Sequence, residues 1–191
     1  EPTEVANRHG ADAVRFALMS SPSVRGEDLR FSEKLIEETV RSLLLPLWNA
    51  YRLFVTYANA ADYKPSLDFS LKNAQSKHSL DRWIVLKTQE LVNNMTLELD
   101  SYDLSATCAH LTDSIDDLTN WYVRLSRRRL AGKDETVETT RGGVSMNTAQ
   151  KSTNTVQSPQ RGVSTEPSGE QNDALDTLYR VLLANAQLLA P

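Results

Sequence analysis

"LSATCAHLTDSIDDLTNWYVRLSRRR" runs from Leu104 to Arg129. Its apolar residues Leu104, Cys108, Leu111, Ile115, Leu118, Tyr122 and Leu125 recur at alternating steps of four and three without a break. A helix turns once every 3.6 residues, so that spacing collects them on one side of an α-helix. A helix with one apolar stripe must bury it against other elements. The stretch therefore predicts an all-α antiparallel helix bundle.

The flanking sequence extends this pattern. Just upstream, Leu80, Ile84, Leu91, Met95, Leu99 and Tyr102 form a second helical stripe, and Ser101 or Asp103 is placed to cap the helix that follows. The short loop between the two stripes predicts an antiparallel pair. Further upstream, Ser32 is an N-cap candidate ahead of the acidic first turn of "SEKLIEE". Leu35, Ile36, Val40, Leu43, Leu44, Leu47, Tyr51, Phe54 and Val55 then predict a helix to about Ala61. Pro46 inside it predicts a kink or a split, because proline lacks an N–H and clashes one turn back. Trp48 and Trp83 fall within these stripes and are expected in the core.

The opening residues read as polar. "GADAVRFALMSSP" predicts a short buried helix, and "SVRGEDLRF" a loop in which Gly26 permits a turn. Residues 132–172 are rich in Thr, Ser, Gln, Asn and Gly and hold almost no large apolar side chain. Such a segment buries too little to offset its ordering entropy, which predicts a flexible low-complexity insert. Residues 173–191 resume helical patterning as a further bundle helix, apolar to its end, which suggests truncation.

Composition narrows the function classes. The 191 residues are 40% hydrophobic and 24% charged, with a formal net charge of −4. This argues against a surface that is basic all over and binds nucleic acid indiscriminately, although it leaves room for one local basic patch. The single cysteine, Cys108, fits a reducing compartment, and the three histidines are too scattered for a zinc site. No apolar run reaches the length of a membrane span, and no signal segment opens the chain. The first residue is Glu1 rather than Met, so a piece of a longer protein is expected. No nucleophile–base constellation and no glycine-rich phosphate loop supports an independent enzyme.

Four arginines occupy Arg124 to Arg129 in this acidic chain. On a helical wheel Arg124, Arg127 and Arg128 point away from the apolar stripe. Arg129 turns back toward it, as a structural partner, and Trp121 lies on the border. Cations near a helix C-terminus are favoured by the dipole, by about 0.3–1 kcal/mol each, which explains the cluster without any ligand. Like charges at Arg124 and Arg128, four apart, instead cost roughly 0.2–0.5 kcal/mol that a polyanion would relieve. Guanidinium groups also suit forked contacts to phosphate. Asp113, Asp116 and Asp117, one or two turns earlier, are alternative ion-pair partners.

"LTNWYVRLSRRR", Leu118 to Arg129, resembles the anticodon-binding helical domain of class I aminoacyl-tRNA synthetases, and of isoleucyl-tRNA synthetase in particular. Other stretches are similar to that family in the same order. They are "HGADAVRFALMSSPSVRGEDLRFSE" (His9–Glu33), "LLLPLWNAYRLFVTYA" (Leu43–Ala58), "LDRWIVLKTQEL" (Leu80–Leu91) and "LLANAQLLAP" (Leu182–Pro191). The chain departs from the family at Leu130 and Ala131, where an aromatic pair is usual, and in its long insert. The HIGH and KMSKS signatures are absent, as is an editing domain.

The resemblance implies a junction or stem-contact segment over 1–31, an anticodon-binding bundle over 32–131 and a further helix over 173–191. The insert that composition predicts over 132–172 interrupts them. It implies a cytoplasmic parent enzyme that charges isoleucine-accepting tRNA using ATP and Mg²⁺, with no membrane association and no cofactor in this piece. The expected partners are that tRNA and the rest of the parent chain. Arg124, Arg127 and Arg128 are the expected phosphate contacts, with Trp121 as a stacking or packing support and Arg25 and Arg30 as further candidates in the junction loop. Arg30 has Glu27 and Asp28 as rival partners. The corresponding domain of a valine, leucine or methionine synthetase, and a helical protein-interaction module, are the competing readings.

Overall fold

The computed structural model describes residues 2–66, 70–71, 76–132 and 169–189. Among them there is no strand. The helices are α1 (Pro2–His9), α2 (Ala11–Met19), α3 (Glu33–Thr39), α4 (Leu45–Ala60), α5 (Ser79–Asp100), α6 (Leu104–Asp116), α7 (Arg124–Leu130) and α8 (Gly169–Leu189), with a 3₁₀ turn at Pro22–Arg25. Two π-helical turns complete the set. Val40–Leu44 joins α3 to α4, and Asp117–Val123 joins α6 to α7. Residues 133–168, most of the predicted insert, lie outside the described residues, and α8 begins at Gly169, before the predicted end of that insert.

The α5–α6 pair is antiparallel, as its short connection requires. Asp103 is the cap that forms, its carboxylate accepting from the Ala106 N–H at 2.9 Å. Tyr102 takes the left-handed conformation at φ 61° to make the reversal, so its ring is thrown out and 90% exposed. The predicted stripe thus ends one turn early. Ile84, Leu91 and Met95 are buried, whereas Leu99 and Tyr102 are not.

The predicted break at Pro46 takes a specific form. Proline has no N–H to return to the carbonyl four residues back. The chain absorbs the irregularity just before it, where the Leu45 N–H reaches five residues back to the Val40 carbonyl. The second π-turn has a larger effect. It inserts a residue into the turn, so positions beyond it rotate relative to the expected stripe. Leu118 and Tyr122 are fully buried as predicted, but the inward positions that follow are Ser126, Arg129 and Leu130. Leu125, assigned to the stripe from its spacing, is instead 58% exposed.

The main core lies where α4, α5, α7 and the second π-turn close on α8. It contains Phe54, Ile84, Leu118, Tyr122, Leu130, Leu175, Leu178 and Val181. A second cluster of Leu43, Leu91, Met95, Leu111 and Ile115 continues it along the bundle. A third joins Val5 of α1 to Ala13, Ala17 and Ile36. Helix α1 was not expected from its polar sequence; among its described side chains Val5 is the buried apolar one, and α1 holds on through α2 and α3. Trp83 is half-buried against the main core. Trp48 is not core. It is 57% exposed and lies against Tyr51 with ring centroids 5.5 Å apart.

Candidate nucleic-acid interface

Helix α7 sends its arginines in three directions. Arg129 turns inward, and its side chain is 7% exposed. Its guanidinium donates to both carboxylate oxygens of Asp81 on α5, at 3.0 Å and 2.6 Å. Asp81 is fully buried and also receives the Ser76 hydroxyl at 2.6 Å. The Tyr122 hydroxyl lies 3.0 Å from Asp81 Oδ1 and 3.1 Å from the Ala174 carbonyl. Burial, reinforced by Asp81, holds the Tyr122 hydroxyl well above its ordinary pKa. Burial works against the Arg129 charge, but Asp81 outweighs it and the guanidinium pKa is raised. A buried charge is tolerated only when paired and hydrogen-bonded in this way. The pair ties the C-terminal end of α7 to the start of α5.

Trp121, Arg124, Leu125 and Arg128 follow at i, i+3, i+4 and i+7, and all are exposed. They form one continuous solvent-facing strip of aromatic, apolar and guanidinium surface. The strip exists because the π-turn rotates Leu125 outward and leaves Trp121, 58% exposed, outside the core rather than widening it.

Arg127 takes the third direction. It borders a groove of about 470 Å³ between α4 with its preceding π-turn and the α6–α7 segment. Arg41, Ser42 and Asn49 line one wall, and Thr119 and Asn120 the other. Asp116 also faces the groove and accepts a hydrogen bond from the Asn120 side-chain amide four residues on. The aspartates upstream were alternative partners for the arginines. Among the described residues none of them forms a salt bridge with Arg124 or Arg127. Asp117 is half-buried, and burial, with Asp116 and Asp113 nearby, raises its carboxyl pKa.

The junction residues lie elsewhere. Arg25 donates to both oxygens of Asp103 at 3.0 and 2.9 Å, and so binds the 3₁₀ turn to the N-terminus of α6. The Ala106 N–H and then Arg25 lower the Asp103 pKa, while Asp103 raises that of Arg25. Arg30 is exposed, and among the described residues it pairs with neither Glu27 nor Asp28. Asp103 and Arg124 are twenty-one residues apart along one nearly continuous helix, about 30 Å at 1.5 Å per residue. Arg25 therefore does not share a surface with the α7 cluster.

Sequence reasoning missed Asp81, Arg41, Asn49, Asn120 and the groove. Asp81 had a signal: an arginine turned toward an apolar core requires a buried carboxylate, and Asp81 borders the apolar stripe of α5. The groove had none, because it depends on how two helices meet. Among the described residues no three His, Cys, Asp or Glu side chains could hold a metal ion, and no helix is long and apolar enough to cross a membrane.

Residues 81–191 match the family model described as the anticodon-binding domain of tRNA ligase. Curated relatives include an isoleucine–tRNA ligase of Protochlamydia amoebophila, 42% identical over 68% of this chain and 12% of its own length. That of Treponema denticola is 33% identical over 100% of this chain and 15% of its own length. The cytoplasmic isoleucine–tRNA ligase of Schizosaccharomyces pombe is 39% identical over 73% of this chain and 13% of its own length. The chain thus spans less than a sixth of these relatives. The matched region holds the α5–α6 pair, the second π-turn and the arginine cluster, and on that match the chain belongs to the anticodon-binding domain family of tRNA ligases, with isoleucyl-tRNA ligases as its relatives.

Proposed function

We propose that this domain grips the anticodon stem-loop of an isoleucine-accepting tRNA within a longer, cytoplasmic isoleucine–tRNA ligase. The observation that carries this reading is the α7 strip, where Trp121, Arg124 and Arg128 share one exposed face while Arg129 is held inside by Asp81. Guanidinium groups bind phosphates in forked geometry, and an exposed indole offers a face on which an unpaired base stacks. The relatives named above support isoleucine as the amino acid. The parent enzyme would draw on ATP and Mg²⁺ in a catalytic domain that this chain does not include. Arg25 and Arg30 would serve at the junction, with Arg25 bracing the loop through Asp103.

The test is tRNA binding by this chain across a salt series, with Arg124, Arg127 and Arg128 changed to alanine singly and together. Each lost phosphate contact on a single-stranded loop reduces the slope of log K against log salt by about 0.7. The triple variant is expected to lose about two units of slope and most of its affinity. Unchanged affinity and slope would remove the cluster from the interface.

A further inference from the structure

We infer that the groove between α4 and the α6–α7 segment receives a short unpaired stretch of the bound RNA and selects at one position for a base that carries an amino group. The inference rests on the anticodon-arm reading and adds to it the place and chemistry of base selection.

The two π-turns lie on opposite walls of this one groove. Arg41 and Ser42 come from the first, and Thr119, Asn120 and Val123 from the second. A π-turn widens the helix and takes backbone groups off the regular ladder, and such turns recur at functional sites. The first π-turn contacts α6, and the second contacts α4, so the two walls run in the same direction. Arg41 and Arg127 therefore mark opposite ends. Arg41 and Leu53 are twelve residues apart along one wall, about 18 Å of helix. That length suits two or three nucleotides with a guanidinium at each end for a phosphate. The volume, about 470 Å³, is within the range of sites that enclose a small ligand.

Between the arginines the groove changes character. Asn49 lies partway along one wall and Asn120 a comparable distance along the other. Because the Asn120 amide nitrogen donates to Asp116, its Oδ1 remains as an acceptor. An ionised Asp116 offers acceptors only. A pair of acceptors favours a base edge that donates, as the exocyclic amines of adenine and cytosine do, and disfavours uracil, whose corresponding edge is a carbonyl. The carboxylate also repels phosphate from the middle of the groove, which keeps the backbone at the arginine ends.

The experiment uses this chain and a hairpin RNA made of an anticodon stem and loop, with each loop nucleotide replaced in turn by uridine. For the unaltered protein, uridine at one amino-bearing loop position is expected to weaken binding about tenfold. Asp116→Asn supplies a donor in place of an acceptor and is expected to abolish or reverse that discrimination while leaving the salt slope unchanged. Asn120→Ala is expected to reduce it. Arg41→Gln is expected to lower the salt slope and keep the discrimination. Asp116 and Asn120 are exposed, and retained helicity by circular dichroism verifies that the variants fold. Equal tolerance of every uridine replacement by the unaltered protein, or discrimination that persists in Asp116→Asn, overturns the groove assignment while leaving the anticodon-arm reading intact. Failure of the unaltered protein to bind the hairpin overturns both.

Discussion

Arg129 closes its guanidinium fork on both oxygens of Asp81, and the two side chains are 7% and 0% exposed. This pair orients the arginine cluster. With Arg129 fixed to α5, the preceding turns of α7 have one rotational setting, in which Arg124 and Arg128 face solvent with Trp121. Removing one partner leaves an uncompensated buried charge. Asp81→Leu and Arg129→Met are each expected to destabilise the fold by about 3–5 kcal/mol. The double variant is expected to recover much of that loss. Urea denaturation of the four proteins measures the coupling, and strictly additive losses would show that the pair is not what holds α7.

Alkaline pH tests the same centre. Tyr122 has its hydroxyl pKa raised, by burial first and then by Asp81. Tyr63 is raised likewise, by burial and by Asp176, to which its hydroxyl donates at 3.0 Å. In the unfolded chain both ionise near pH 10. Below that pH both states keep the protons and the contribution is constant. Above it the unfolded state releases protons that the folded state still holds, so stability falls as pH rises. The melting temperature is expected to drop between about pH 10 and 11, and Tyr122→Phe is expected to flatten that decline.

The bundle was legible because its helices bury what their spacing predicts. Ile84, Leu91, Leu118 and Tyr122 lie where 3.6-residue periodicity puts them. The errors have local causes. Leu125 follows a π-turn that a uniform wheel cannot represent, and Tyr102 sits at a left-handed reversal that nothing in its side chain announces. Trp48 is expected in the core from its place within the apolar stripe, yet it is 57% exposed on α4. Arg129 was correctly turned inward, but finding Asp81 required the second helix. The groove was illegible for the same reason. Asn49 and Asn120 are seventy-one positions apart, and only the packing of α4 against the second π-turn gives them a common cavity.

Arg25 and the α7 arginines are expected to respond differently to one experiment. Arg25 donates from one guanidinium nitrogen to both oxygens of Asp103, which also caps α6. Arg25→Gln is expected to loosen the Pro22–Arg25 turn, read as faster amide exchange there, while the salt slope of tRNA binding stays unchanged. Asp103→Ala removes the cap as well as the clamp, so its thermal destabilisation is expected to exceed that of Arg25→Gln. A reduced salt slope in Arg25→Gln would instead return Arg25 to the list of phosphate contacts.

Gly132 ends α7 in a conformation that favours glycine. Its φ of +65° is left-handed, its N–H returns to the Arg129 carbonyl at 2.9 Å, and the Ala131 N–H returns to Arg127 at 3.1 Å. This is the ordinary way for a helix to satisfy its last carbonyls. The Leu130 carbonyl is instead taken by the Gln171 side-chain amide at 3.0 Å, which lays the start of α8 across the end of α7. A Cβ on residue 132 would approach the Gln171 amide oxygen to 2.8 Å, closer than contact allows. Gly132→Ala therefore meets both the left-handed penalty, about 1–2 kcal/mol, and a clash that pushes Gln171 off the Leu130 carbonyl. The expected loss exceeds the left-handed penalty alone. Gln171→Ala in the Gly132→Ala background separates the two, since removing the amide relieves the clash and leaves the backbone strain. If the second substitution recovers nothing in denaturant titration, the clash with Gln171 adds nothing to the backbone strain at residue 132.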